Sequence, residues 1–293
     1  VLRKALLAVS RSARAERVIS TSPLTRNVVR RFVADDIGRT VAELTRRGLL
    51  VTVDHLGEDV HDRAQAEGAV RSYLDLLRLL PEGSDVSVKL TALGLRLSEQ
   101  LALDNAATIC EAAGPRGITV TLDAEEHDTI AGLHSIHTTL RKEHPSVGIV
   151  VQAYLRDAAE RCAKLDGARV RLCKGAYTAP GAFASAAEID RSYARCLRVL
   201  MAGTGYPMVA THDPRLINIA GTLAVLEGRD HNGFEYQMLY GVRPDEQERL
   251  ASQGARVRVY VPFGSDWYAY LMRRLAERPA NLAFFARSLL SRR

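Results

Sequence analysis

From residue 49 onward the chain alternates short β-branched runs with longer stretches of helical periodicity, eight times over. The runs are 49–54 (LLVTVD), 86–90 (VSVKL), 118–123 (ITVTLD), 148–154 (GIVVQAY), 169–173 (RVRLC), 207–211 (PMVAT), 233–238 (GFEYQM) and 256–261 (RVRVYV), each of strand length. Between them, segments such as 62–80, 99–113, 126–142 and 184–202 space apolar residues three and four apart, as helices linking parallel strands require. Eight such units close on themselves. The expected class is therefore α/β, a (β/α)8 barrel of TIM type over residues 46–293, preceded by a short helical extension over residues 1–45. A barrel of this kind uses about 250 residues as one domain, so the chain needs no second large one. In the extension, Leu2, Leu6, Leu7 and Val9 have the spacing of a packed helix. The same stretch is Arg- and Ser-rich with one acid, as transit peptides are; the packed helix is the preferred reading.

The residues that end these strands are polar: Asp54, Lys89, Asp123, Gln152, Arg171, Thr211, His212, Gln237 and Tyr260. In such a barrel the carboxyl ends of the strands form the mouth where active sites are built. Alternation assigns faces. In ITVTLD, Thr119, Thr121 and Asp123 share one face and Ile118, Val120 and Leu122 the other; in RVRLC, Arg169 and Arg171 oppose Val170 and Leu172. One face suits surrounding helices and the other the barrel interior. Each polar residue taken singly is equally well a core contact or a helix cap, but their clustering at one end favours a site.

Composition narrows the function. The net charge of +6 and pI near 9.3 come from scattered arginines rarely interleaved with aromatics, which suits an anionic substrate or a membrane surface rather than nucleic acid. No apolar run approaches the roughly 20 residues needed to span a bilayer. Cys110, Cys162, Cys173 and Cys196 form no CxxC pair, pointing to reduced thiols in a cytosolic compartment. There is no Walker A loop, and Gly203-Thr204-Gly205 precedes a strand and lacks a third glycine, so a dinucleotide-binding Rossmann unit is unsupported. The acids of 123–128 are expected in a first helical turn, and His134 and His137, three apart in mid-helix, are read as surface residues, so no metal site is assigned.

Near the end of the chain, Tyr270, Arg273, Arg274 and Glu277 fall on one face of a helix while Tyr268, Leu271, Met272 and Leu275 share the opposite one. Two guanidiniums side by side can grip a carboxylate or phosphate bidentately, or can simply face solvent. Lys89 and Lys174 are candidate Schiff-base lysines or plain positive charges for an anionic ligand. Directly after the fifth strand, Lys174-Gly175-Ala176-Tyr177 exposes backbone N–H groups to a phosphate or ring system, or forms an ordinary turn.

Taken in order, the motifs resemble the proline dehydrogenase family of flavoenzymes. They are Asp54-His55-Leu56-Gly57-Glu58, Ser87-Val88-Lys89-Leu90, Leu122-Asp123-Ala124-Glu125, Gln152-Ala153-Tyr154 and Arg171-Leu172-Cys173-Lys174-Gly175-Ala176-Tyr177. They continue with Ala210-Thr211-His212-Asp213, Glu235-Tyr236-Gln237-Met238-Leu239-Tyr240-Gly241, Tyr260-Val261-Pro262-Phe263-Gly264 and Tyr270-Leu271-Met272-Arg273-Arg274 with Glu277. The resemblance implies a distorted barrel holding FAD without a covalent link and oxidising L-proline to Δ1-pyrroline-5-carboxylate by hydride transfer to flavin N5, the first step of proline catabolism. It implies Lys89, Arg273 and Arg274 on the substrate carboxylate and Tyr240 and Tyr270 on its ring. It places Gln152, Lys174, Gly175, Ala176, Tyr177, Thr211, His212 and Glu277 around FAD, with Asp123 and Arg171 as the catalytic pair. Departures from the family pattern fall at Thr178, Ser185-Ala186-Ala187 and Asp213.

The family further suggests a membrane quinone as electron acceptor, hence a cytoplasmic protein in peripheral contact with the inner face of a respiratory membrane. The last helix must then lie across the barrel mouth, since a helix rising ~1.5 Å per residue down the outer wall would carry its arginines away from it. Two rival readings are a Schiff-base lyase or aldolase barrel using Lys89 or Lys174, and a non-catalytic barrel that binds an amino acid or flavin.

Overall fold

The computed structural model describes residues 32–177, 179–264 and 267–268. The eight expected strands close into one parallel barrel in sequential order. They are β1 (Leu50–His55), β2 (Asp85–Val88), β3 (Thr119–Leu122), β4 (Gly148–Gln152), β5 (Arg169–Cys173), β6 (Tyr206–Ala210), β7 (Glu235–Leu239) and β8 (Val257–Phe263). Helix α1 (Ile37–Arg46) precedes β1, and α2 (Arg63–Leu79), α3 (Glu99–Ala113), α4 (Ile130–Leu140), α5 (Ala158–Lys164), α6 (Ala186–Ala202), α7 (Pro214–Leu226) and α8 (Pro244–Ser252) connect successive strands. Side-chain caps set where several helices begin. Asp62 accepts from Gln65 N, Ser98 from Leu101 N, and Ser185 forms a reciprocal capping box with Glu188. Asp213 accepts from Arg215 N, with Pro214 opening α7.

The chain closes its barrel by pairing β1 with β8, Thr52 opposite Tyr260 and Asp54 opposite Pro262. Just before α1, Ala34 N donates to Pro262 O at 2.9 Å, extending the pairing beside β8. Residues 1–31, which include the expected Leu2–Val9 helix, lie outside the described residues, as do Tyr270, Arg273, Arg274 and Glu277 and so the expected placement of the last helix over the mouth.

Strand alternation separates two cores. Val51, Val53, Val86, Val88, Val120, Leu122, Val170, Leu172, Val259 and Val261 point outward and are buried against the helices. The opposite parity, Thr52, Asp54, Asp85, Ser87, Thr121, Arg171, Glu235, Gln237 and Arg258, fills the barrel with polar groups that are also buried. Branched apolar residues dominate most barrel interiors. Here every interior polar group needs a partner inside the barrel, because leaving one unsatisfied costs about 1–3 kcal/mol.

Two expectations are corrected. His137 is not a surface residue but is 1% exposed, because it shares the inner face of α4 with Leu133 and Leu140. Burial pushes its imidazole down to about 4, so it is a neutral core residue. The acids of 123–128 are not all first-turn charges: a short 3-10 turn (His127–Thr129) and then α4 begin later, so Asp123 and Glu125 precede the helix and enter the barrel mouth.

Candidate functional site

The interior is layered from floor to mouth. On the floor, Arg258 forks onto Glu235, Nε to Oε1 at 2.6 Å and Nη2 to Oε2 at 3.1 Å, while its Nη1 donates to Val51 O at 2.8 Å and Gly83 O at 3.0 Å. Glu235 Oε1 also accepts from Gln237 Nε2 at 2.6 Å, and Gln237 Oε1 accepts from Arg171 Nε at 2.6 Å. A continuous network thus climbs β7 to the guanidinium at the centre.

Arg171, from β5, is 4% exposed. Its Nη1 donates to Ser87 Oγ at 2.6 Å and Asp123 Oδ1 at 2.8 Å, and Ser87 Oγ donates in turn to Asp123 Oδ1 at 2.7 Å. Its Nη2 donates to Asp85 Oδ2 at 2.9 Å and reaches Thr52 Oγ1 at 3.5 Å. Burial disfavours the charge, but the carboxylates of Asp123 and Asp85 outweigh it and hold the guanidinium more firmly protonated than usual. The Tyr260 ring lies under the guanidinium carbon at 5.3 Å, and its hydroxyl donates to Asp123 Oδ2 at 2.9 Å. Burial, with the negative charges of Asp123 and Asp54, keeps that phenol protonated.

Lys89 follows β2 immediately. Its ammonium is ion-paired with Asp54 and lies 3.9 Å from Asp123 Oδ2. Burial lowers the Lys89 pKa, yet Asp54 and Asp123 more than compensate and raise it, so the side chain is a cation. Asp54 is itself pushed up, by burial against the opposing pull of Lys89. Beside this pair, Glu125 accepts from Thr91 N at 3.1 Å and is hydrogen-bonded to the Thr91 hydroxyl. Burial pushes Glu125 up to about 7. Gln152 ends β4 and donates through Nε2 to Ala124 O at 3.2 Å, while its buried Oε1 has no hydrogen-bond partner among the described residues.

A second cluster lies at the ends of β5 and β6. Lys174 Nζ contacts Asp190 Oδ1 at 2.5 Å and Asp213 Oδ2 at 3.2 Å, and Asp213 N donates to Thr211 Oγ1 at 3.1 Å. His212 Nε2 accepts from Leu239 N at 2.9 Å. Gly175 adopts φ +96°, and a Cβ there would lie 2.2 Å from Tyr154 Cδ1, so only glycine lets this loop press against that ring. Ala176, Tyr177 and Tyr240 are half-buried.

The structure therefore brings Lys89, Asp123 and Arg171 into one cluster with Gln152 at its edge, and links Lys174 to Thr211 through Asp213. Tyr270, Arg273, Arg274 and Glu277 lie outside the described residues. Sequence reasoning missed Asp85, Ser87 and Glu125 as members of the network around Arg171 and Lys89. For the first two a signal was available, because Asp85 and Ser87 have the same parity as Lys89.

A closed parallel barrel with charged groups at the carboxyl ends of its strands defines the class of β/α-barrel enzymes. Among known families, the proline dehydrogenase model matches residues 37–287, and the chain belongs to that family. It is 38% identical over 279 residues to proline dehydrogenase 1 of Bacillus subtilis strain 168, covering 92% of each protein. With the proline dehydrogenase of Deinococcus radiodurans it shares 34% identity over 306 residues, covering 98% of this chain and 97% of the relative. A solved structure of proline utilization A from Bdellovibrio bacteriovorus superposes with a TM-score of 0.79 at 24% identity, over 86% of this chain and 33% of that one, a likeness of fold.

Proposed function

We propose that this chain oxidises L-proline to Δ1-pyrroline-5-carboxylate, the first step of proline catabolism, with FAD as its redox cofactor. The observation that carries the reading is the buried Arg171, locked by side chains at the barrel mouth, in a chain of this family. The donor set fits a flavin. Gln152 offers a buried acceptor oxygen in want of a donor such as an imide N–H, Lys174 offers a cation, and the Gly175 turn leaves backbone open to close approach. Gln152, Lys174, Gly175, Ala176, Tyr177, Thr211 and His212, with Glu277, would hold the cofactor. When bound, FAD supplies the two-electron acceptor for the hydride that leaves the substrate carbon.

The protein's own task is to hold the substrate ring in line, because transfer demands close and oriented atoms. Lys89, Arg273 and Arg274 grip the carboxylate without touching the reacting carbon, and Tyr240 and Tyr270 pack on the ring. Each charge-assisted bond contributes about 1.5–3 kcal/mol. Arg171 would supply a fixed positive charge that favours the more negative, reduced form of a flavin bound beside it. Asp123 orients Arg171 and Tyr260, to which it is bonded at 2.8 and 2.9 Å. A Schiff-base mechanism is disfavoured: the Lys89 amine is held as an ammonium by Asp54 and Asp123, and Lys174 is tied to two carboxylates. Neither amine is a free nucleophile.

The helical extension over residues 1–45 and the barrel over 46–293 form the proposed organisation. The proposed electron acceptor is a membrane quinone, reached by a cytoplasmic protein through peripheral contact. No helix among the described residues is long and apolar enough to cross a membrane. The test is a visible spectrum of the purified protein before and after anaerobic addition of L-proline. A flavin spectrum bleached by L-proline is expected; a folded, colourless protein that neither binds FAD nor responds to proline refutes the reading.

A further inference from the structure

Asp85 has no role in the reaction proposed above, yet it is the deepest charged contact of Arg171. It opens β2 and is 0% exposed. Its Oδ2 accepts from Arg171 Nη2 at 2.9 Å and from Thr52 Oγ1 at 2.9 Å; its Oδ1 accepts from Thr119 Oγ1 at 2.7 Å and Thr121 Oγ1 at 2.9 Å. Four donors from β1, β3 and β5 thus converge on one carboxylate.

The guanidinium above it is equally complete. A guanidinium has five N–H donors. On Arg171 they face Gln237 Oε1, Ser87 Oγ, Asp123 Oδ1, Asp85 Oδ2 and, at the longer distance of 3.5 Å, Thr52 Oγ1. Asp123 holds the edge nearer the mouth, where it also meets Tyr260 and lies within 3.9 Å of Lys89. Asp85 holds the floor edge and is screened from solvent. A neutral side chain in a pocket lined by three threonine hydroxyls would fill this floor without burying a charge, and a buried ion pair is often no more stabilising than a neutral replacement. The carboxylate does something a neutral group cannot: it opposes the positive field of Arg171 at the mouth.

We propose that Asp85 is a positioning and charge-damping residue for Arg171, fixing the guanidinium from the barrel floor and lowering the reduction potential of the flavin below the value Arg171 alone would set. This rests on the assignment of Arg171 to the flavin. A cation nearby favours the reduced, more negative cofactor; a carboxylate behind that cation opposes the effect.

The test is anaerobic measurement of the flavin midpoint potential in holoenzyme, with thermal melting recorded for each variant. Asp85→Asn keeps shape and removes the charge; it should move the potential to more positive values by about 30 mV or more, a tenfold change for a two-electron couple. Arg171→Met should move it the other way. Thr121→Val, which keeps both shape and charge but removes one neutral donor from Asp85, should strengthen the pull of Asp85 on Arg171 and shift the potential negative, and it serves if Asp85→Asn does not fold. A potential that responds to Arg171→Met but not to Asp85→Asn, or not to Thr121→Val where that variant stands in, overturns the proposal. A lowered melting temperature at unchanged potential does the same, leaving Asp85 a structural residue. A wild-type protein without flavin, or a potential indifferent to Arg171→Met, overturns the underlying assignment instead.

Discussion

Glu125→Gln should abolish a specific component of the protein's pH-dependent stability. Glu125 is 5% exposed, and its carboxyl titrates at about 7 rather than the ordinary 4.5 because burial penalises the anion more than the two Thr91 hydrogen bonds favour it. Between those two values the folded protein holds a proton that the unfolded chain has released, so stability falls as pH rises through this window and levels off above it. The stabilisation is complete below the unfolded value and lost above about 7. A shift from 4.5 to about 7 corresponds to about 3 kcal/mol in full, of which about 2.5 kcal/mol is lost between pH 5 and 8. Glutamine keeps the shape and can accept from Thr91 N and donate to its hydroxyl, but it does not titrate. The gap between variant and wild type should therefore widen from pH 5 to pH 8 in favour of the variant. At roughly 2–4 °C per kcal/mol this is about 5–10 °C in melting temperature. Calorimetric scans across that range measure it, with every other titrating group common to both proteins. Parallel curves would refute the argument that this carboxyl is protonated in the folded state.

Two further outcomes follow from the buried charges. Lys89→Met should raise KM for L-proline about 10- to 100-fold through loss of one charge-assisted bond to the carboxylate, and should lower the melting temperature because Asp54 is left buried without its cation; an unchanged KM removes Lys89 from the carboxylate site. Arg258→Met should cost about 3–5 kcal/mol, since Glu235 is 0% exposed and would keep only neutral donors, the Gln237 amide and the Tyr206 hydroxyl, in place of the forked guanidinium; equilibrium denaturation checks this, and a loss under about 1 kcal/mol would show the floor pair to be dispensable.

The barrel was legible because its signal is local and repeated. Each strand is a short β-branched run, each crossover helix carries its own periodicity, and boundaries moved by only a few residues, as where the 148–154 run ends as a strand at Gln152. The site was legible only where polar residues terminate strands. Asp123, Gln152 and Arg171 could be picked out that way, but Glu125 lies beyond the strand in a stretch whose acids also suit a helix start, and only the packing of Thr91 against it reveals its burial. His137 failed for a related reason. Its spacing from His134 shows which face they share, but not that His137 would fall in line with Leu133 and Leu140 against the barrel. Asp85 lies one residue before the expected 86–90 run, and strand pairing sets it inside the barrel beside Thr52 and Thr119.

The charges at the centre of the barrel bear on how an anionic substrate is held at all. Lys89 and Arg171 contribute two formal positive charges, and Asp54, Asp85 and Asp123 three negative ones, all within one connected set of contacts. Arg171 has no N–H left for a ligand, because its five donors already face five oxygens. Of the three ammonium donors on Lys89, one is taken by Asp54. The described cluster by itself therefore does not attract a carboxylate; its net formal charge opposes one. If proline is held here by its carboxylate, the cations that overcome this must come from elsewhere in the chain, and the pair Arg273 and Arg274 is the pair of adjacent guanidiniums that the family resemblance assigns to that task. A variant lacking one of them should then lose more substrate affinity than Lys89→Met, because it removes a forked grip rather than a single point charge. Equal or smaller losses for Arg274→Met, measured as KM for L-proline at fixed pH and ionic strength, would mean that Lys89 carries at least as much of the carboxylate as Arg274 does and that the acidic cluster around it is less charged than its formal count.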